Sequence, residues 1–209
     1  MRRMTGWLSL SLLVLSMAAC GGGAADESAA TAAGDAPTAP AAENPAAPAA
    51  SADRPICDLL TKDEIASALG VEAGVVSNGG VDPYGGGDAQ SCSWTVTRGE
   101  EQEDTVTIWR RTRTEQTAPD AWSTAIRGFL DGEQVGNQTI AHEAVDLGGV
   151  TGGALSGDIG AAYVKSRIYS WQVDEQAIYR LTVGRSGAAD VESPSKDVFA
   201  PLVEAIASK

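Results

Sequence analysis

The sequence predicts an α+β fold: one antiparallel sheet built from two helix-hairpin units, closed by a C-terminal helix and tied by one disulfide. Three observations carry this. Residues 91–111 and 161–184 each alternate apolar and polar side chains on both sides of a short polar turn, the pattern of a half-buried hairpin. A punctuated helical segment precedes each of them, and Phe199, Leu202, Val203 and Ile206 recur at helical spacing near the end of the chain. The order helix, hairpin, helix, hairpin, helix reads as a weak duplication whose product is a sheet with helices packed on it.

The elements follow in order. In "ICDLLTKDEIASALGV", residues 56–71, Thr61 is an N-cap and Glu64 completes a capping box. Leu60 and Ile65 occupy the staple positions, and Gly70 stops the helix. A glycine-rich loop, "NGGVDPYGGGDAQ", leads to the first hairpin, where Cys92, Trp94 and Val96 share one face and Val106 and Ile108 repeat it after the acidic turn. Trp109 falls on the opposite face, covered by a helix or exposed. "TAPDAWSTAIRGFLDG" is amphipathic, with Pro119 suited to its first turn, Trp122, Ala125, Ile126 and Phe129 on one stripe, and Gly132 as the stop. Residues 133–160 read as a glycine-rich loop with at most a short strand. The second hairpin is "AAYVKSRIYSWQV" and "AIYRLTVG" around "DEQ". In the last helix Pro201 either kinks the axis or lies in the first turn.

Composition divides the chain into residues 1–19, 20–54 and 55–209. The first segment has Arg2 and Arg3, then the apolar "TGWLSLSLLVLSMAA", which is the layout of a cleaved signal peptide. A permanent span needs about 20 consecutive apolar residues, more than stand here. Residues 21–54 hold 15 Ala, four Pro and four Gly, but no Val, Leu, Ile, Met or aromatic residue. Such a stretch has nothing to bury and is expected to remain a solvated linker, on the order of 30 Å from end to end. The globular part has 23 acidic against 12 basic residues. That excess argues against nucleic acid, where neutralised phosphates supply most of the affinity, and against adsorption to anionic headgroups.

Cys20, Cys57 and Cys92 make an odd count for an exported chain. Assigning Cys20 to a lipid leaves Cys57 and Cys92 as a pair, most simply a disulfide outside the cytoplasm. "SMAAC" after the apolar run resembles the lipobox of bacterial lipoproteins, with Ala18 and Ala19 matching and Met17 standing where Leu is usual. The resemblance implies diacylglycerol on the Cys20 thiol, cleavage before it, and anchoring by several acyl chains. A second resemblance rests on Cys57, Leu59, Leu60, Thr61, Glu64, Leu69, Gly70, Cys92 and Trp94. This capped helix followed by Cys-x-Trp on a strand is similar to a family of actinobacterial-type envelope lipoproteins whose domain has no known function, and "VDLGG", residues 145–149, is faintly similar to their Leu-Gly-Asp turn. It implies a shared fold and an exported lipoprotein, and brings no catalytic residues.

Little in the chain reads as catalysis. His142 is the only histidine, which excludes a histidine metal cluster, and it reads as a surface or loop residue. "GRSGA" around Ser186 lacks the last glycine of a nucleophile elbow, and His142 precedes the serine. Asp82 and Asp88 flank a glycine run without the spacing of a calcium loop. The one basic cluster, Trp109, Arg110, Arg111 and Arg113, is the candidate contact for an anionic partner, unless it pairs with the acidic run at 100–104, itself read as a solvated turn. The expectation is a cell-envelope lipoprotein with neither metal nor cofactor. Its non-enzymatic domain binds an envelope protein or small ligand, held on the outer face of the plasma membrane or, in a Gram-negative host, at the outer membrane. The alternatives are an envelope hydrolase using Ser186 or an acidic pair, and a purely structural component.

Overall fold

Helices on both faces of an eight-stranded antiparallel sheet, with a separate two-stranded ribbon, make up the fold, as described by a computed structural model over residues 54–209, except 78, 83–88 and 189. The signal segment, Cys20, the linker before Arg54, and Asp88 lie outside the described residues. In chain order the elements are α1 (Lys62–Leu69), β1 (Gly80–Asp82), β2 (Ala89–Arg98), β3 (Gln102–Thr112), α2 (Ala121–Leu130), β4 (Glu133–Val135) and β5 (Gln138–Ile140). There follow β6 (His142–Leu147), β7 (Val150–Ser156), β8 (Ile159–Ala161), β9 (Val164–Val173), β10 (Ala177–Gly187) and α3 (Lys196–Ala207). The sheet runs β1-β2-β3-β10-β9-β7-β6, with β8 paired to one end of β9, and β4 and β5 form a separate ribbon. Among the described residues, no helix is long and apolar enough to cross a membrane.

The two expected hairpins, β2–β3 and β9–β10, lie side by side in the middle of the sheet because β3 pairs along its whole length with β10. The expected loop at 133–160 instead contains five short strands. Glycine dilutes the alternation there, and Gly148 and Gly149 take positive φ in the β6–β7 turn, so the periodic signal fades while the backbone still pairs. The simple order of two helix-hairpin units is thus interrupted. Moreover, α1 and α2 pack on opposite faces: Ile65 and Leu69 join a core with Tyr179 and Leu181, whereas Trp122 and Ile126 meet Ile178, which points the other way from β10.

The larger core lies between the sheet and α1 with α3. Every residue of the predicted last stripe, Phe199, Leu202, Val203 and Ile206, is fully buried there. Pro201 stands inside α3, beyond its first turn. The capping box of α1 forms as read: the Glu64 amide donates to Thr61 Oγ1 at 3.2 Å, the Thr61 amide donates to Glu64 Oε2 at 2.7 Å, and Gly70 closes the helix in the left-handed region. Cys57 and Cys92 are bonded, which fastens the turn at Ile56–Asp58 to β2. Tyr169, Trp171 and Tyr179 stack in sequence across β9 and β10, with neighbouring centroids 5.4 Å apart. Burial pushes the Tyr169 phenol up to about 12, and its hydroxyl donates to the Val145 carbonyl at 3.0 Å.

Candidate binding face

Register decides where each candidate side chain goes. Along β3, Asp104, Val106, Ile108 and Arg110 face α1 and α3, while Thr105, Thr107, Trp109 and Arg111 face the α2 side. The basic cluster is therefore divided. Arg110 is only 3% exposed; one of its Nη atoms donates to the Arg54 carbonyl at 2.9 Å, the other to Gln90 Oε1 at 2.6 Å. It lies beside Tyr179, whose phenol burial pushes up and Arg110 draws partly back. Trp109 is half-buried against the α2 cluster, Arg111 lies over the Trp122 ring at 5.9 Å, and an Nη atom of Arg113 is 3.9 Å from Glu175. Of the four, Trp109 and Arg111 stand on the α2 face of β3, Arg110 stands on the other, and Arg113 follows the strand.

The acidic run divides in the same way. Glu100, Glu101 and Glu103 are exposed, but Asp104 has no exposure and accepts from Arg98 and Arg185, the latter at 2.8 Å. His142, expected at the surface or in a loop, is enclosed on β6. Its ring stacks on Phe129 of α2 with centroids 5.8 Å apart, and its Nε2 is 3.5 Å from a Glu133 oxygen. Both Glu133 oxygens receive Arg180 Nη2, at 2.7 and 3.0 Å. Burial holds the His142 pKa below its ordinary value; Glu133 pulls it part of the way back, and the Arg180 charge adds a smaller push downward. Ser186 is far from this cluster. It lies six residues beyond Arg180 on β10, about 20 Å at strand rise, and its hydroxyl donates to the Glu103 carbonyl at 3.4 Å. The serine–histidine pairing weighed from the sequence has no geometry here.

Beyond α2, the same sheet face is paved with hydroxyls. Ladder pairing sets Ser93, Thr107 and Thr182 in one row across β2, β3 and β10. Thr95 and Thr105 come next, continuing past Gly184 to Ser166 of β9, and Thr97, Glu103 and Ser186 form a third row. Most of these side chains are half-exposed, Thr97 and Glu103 fully so, and Ser93 and Thr107 bond to each other at 2.8 Å. The paving ends in a hollow of about 280 Å³ lined by Thr97, Glu100, Glu101, Glu103 and Ser186. Trp109 borders its other end, in the row shared with Arg180.

Such a face offers many donors and acceptors at the regular spacing of a sheet, with carboxylate acceptors at one end and an indole at the other. Among the described residues, no cluster of three or more His, Cys, Asp or Glu is placed to hold a metal ion. Of the cation idea, Asp82 contributes a described backbone in β1 and Asp88 lies outside the described residues. Sequence reasoning missed Glu133, Arg180 and the hydroxyl rows. The rows had a signal: "SCSWTVT" and "TVTIW" place a hydroxyl at alternate positions, opposite the apolar face. No family model matches the chain, and neither a curated protein nor a solved structure matches it.

Proposed function

We propose that the chain is an exported, lipid-anchored envelope protein whose folded domain binds a neutral, polyhydroxylated ligand, a glycan, on the hydroxyl-paved face, without catalysis. The observation that carries this reading is the set of hydroxyl rows between Trp109 and the acid-lined hollow. A sugar presents alternating donors and acceptors around an apolar ring face. Serine and threonine hydroxyls meet both kinds, carboxylates accept from sugar hydroxyls, and an indole covers the apolar face. The acid excess of the domain favours an uncharged ligand over a polyanion. The lipobox-like "SMAAC", the coreless linker and the Cys57–Cys92 disulfide support presentation outside the cytoplasm.

The test is retention of the exported chain on insoluble envelope polysaccharides, comparing it with a Thr95→Val, Thr105→Val, Thr107→Val variant. Valine keeps the branched shape and the strand preference while removing the hydroxyl. At about 1 kcal/mol per lost hydrogen bond, the variant should bind at least about tenfold more weakly with little change in melting temperature. Equal retention of the two proteins, or retention of neither, rejects the reading.

A further inference from the structure

We infer that His142 is a proton-operated latch: its protonation releases the layer formed by α2 and the β4–β5 ribbon from the sheet. Three elements meet at this residue. Glu133 stands at the start of β4, Arg180 on the central strand β10, and Phe129 near the end of α2, while His142 itself lies on the edge strand β6. The Glu133–Arg180 pair joins the ribbon to the middle of the sheet, and Arg180 also lies over the Phe129 ring at 4.7 Å. The imidazole has 0% side-chain exposure, and among the described residues neither of its nitrogens has a hydrogen-bond partner.

The closed arrangement suits a neutral ring. Glu133 and Arg180 cancel, and the imidazole acts as an apolar plate against Phe129. Adding a proton leaves two cations and one carboxylate in an enclosed space. The carboxylate already accepts from Arg180 on both oxygens, and Nε2 is too far, at 3.5 Å, for a good bond to it. An enclosed charge whose neighbouring carboxylate is 3.5 Å away and shared with Arg180 is costly, and moving the imidazolium into water relieves it. That movement ends the stack on Phe129, a contact that ties β6 to α2.

The groups around the ring bear on the sign. From β4 there is Glu133 and from β10 there is Arg180. Strand β7 brings Ser156, paired with His142 in the ladder, whose hydroxyl is occupied by the Gly157 carbonyl and the Ile168 amide. On α2 the charged side chain, Arg127, is exposed and bonds Thr124, and Asp131 at the helix end is exposed as well. Among the described residues the ring thus meets one carboxylate, which it shares with Arg180. Its lowered pKa accords with this: the closed form holds fewer protons than the open one, so closure is fully favoured above about 6.5 and fades as pH falls from there through the depressed value. This proposal does not depend on the ligand assigned to the hydroxyl rows.

Because the chain has a single histidine, the switch is directly observable. Hydrogen exchange on the full chain, corrected for intrinsic rates, is compared between pH 7.5 and 5.0. We expect amides of residues 121–140 to lose protection by up to about tenfold per pH unit, the limit for one coupled proton, while β3 and β10 stay protected. The midpoint should coincide with the titration of the histidine ring signal by NMR, and His142→Phe should abolish the effect, with His142→Gln as a second variant should the first fold poorly. An effect that survives both substitutions overturns the proposal, as does equal loss of protection in α2 and β10, or unchanged protection across the range.

Discussion

Asp104 sits with no exposed surface between two arginines, on the buried side of a strand whose tip is acidic and solvated. Its position follows from parity: it is two residues before Val106 and four before Ile108, so the alternation that buries those two buries it as well. Read as part of an acidic run, it was masked by its neighbours; read against the pleat, it was legible. A buried carboxylate shared by two guanidiniums is hard to remove. Asp104→Asn leaves Arg98 and Arg185 facing each other without a counter-charge, and such losses typically cost 3–5 kcal/mol. Both arginine side chains keep about a fifth of their surface in solvent and can turn outward, so the expected cost is about 3 kcal/mol, read from the urea midpoint. Glu101→Gln, on the exposed turn beside it, should change stability by less than about 0.5 kcal/mol.

At the scale of elements, α1 is where sequence and structure agree most closely, because everything that defines it is local. Cap, box and stop all fall within the ten residues from Thr61 to Gly70, and all three form. The sequence did not reveal that Lys209, at the other end of the chain, donates to the Leu59 carbonyl at 2.9 Å and to Glu64 at 2.8 Å. Nor did it disclose the use of "VDLGG". Gly148, at φ +56°, brings the β6–β7 turn so close to α3 that an added Cβ would stand 2.5 Å from the Ala200 carbonyl oxygen and the Glu204 amide nitrogen. Such pairings join residues 50 or more positions apart, and short-range pattern contains no information about them. Glu64 turns this into a pH dependence. Burial works to raise its pKa, but the bonds from Lys209 and Thr61 together outweigh it and hold the carboxyl below its ordinary value. A lowered folded pKa means stability that is complete above about 4.5 and lost as pH falls through the folded value. The melting temperature of the native chain should exceed that of Glu64→Gln at pH 7, and the two should converge by pH 3. A constant gap would show that the ion pair contributes nothing.

Over the whole molecule, the sheet divides two surfaces with different tasks. The α1 and α3 side contains the large core, the aromatic stack and the disulfide, whereas the α2 side combines a thin apolar cluster with hydroxyl rows open to solvent. Central pairing and core composition were readable because alternation marks them; the two-sided placement of helices was not, since a helix stripe does not name the sheet face that it meets. The division makes separate predictions for the cysteines. The Cys57–Cys92 bridge closes a loop with a sequence separation of 35 and ties the entry of the domain to β2. Removing it as Cys57→Ala with Cys92→Ala should cost about 3 to 4 kcal/mol by the loop-entropy relation, measured as a lower urea midpoint. Membrane attachment should be unaffected, because the proposed anchor is elsewhere. Cys20→Ala should do the reverse: an unprocessed precursor or a soluble product on fractionation, with the denaturation midpoint of the domain unchanged. A lipid thiol and a structural thiol differ in which assay they move. If Cys20→Ala leaves processing and membrane association as they were, the proposed lipid anchor is wrong.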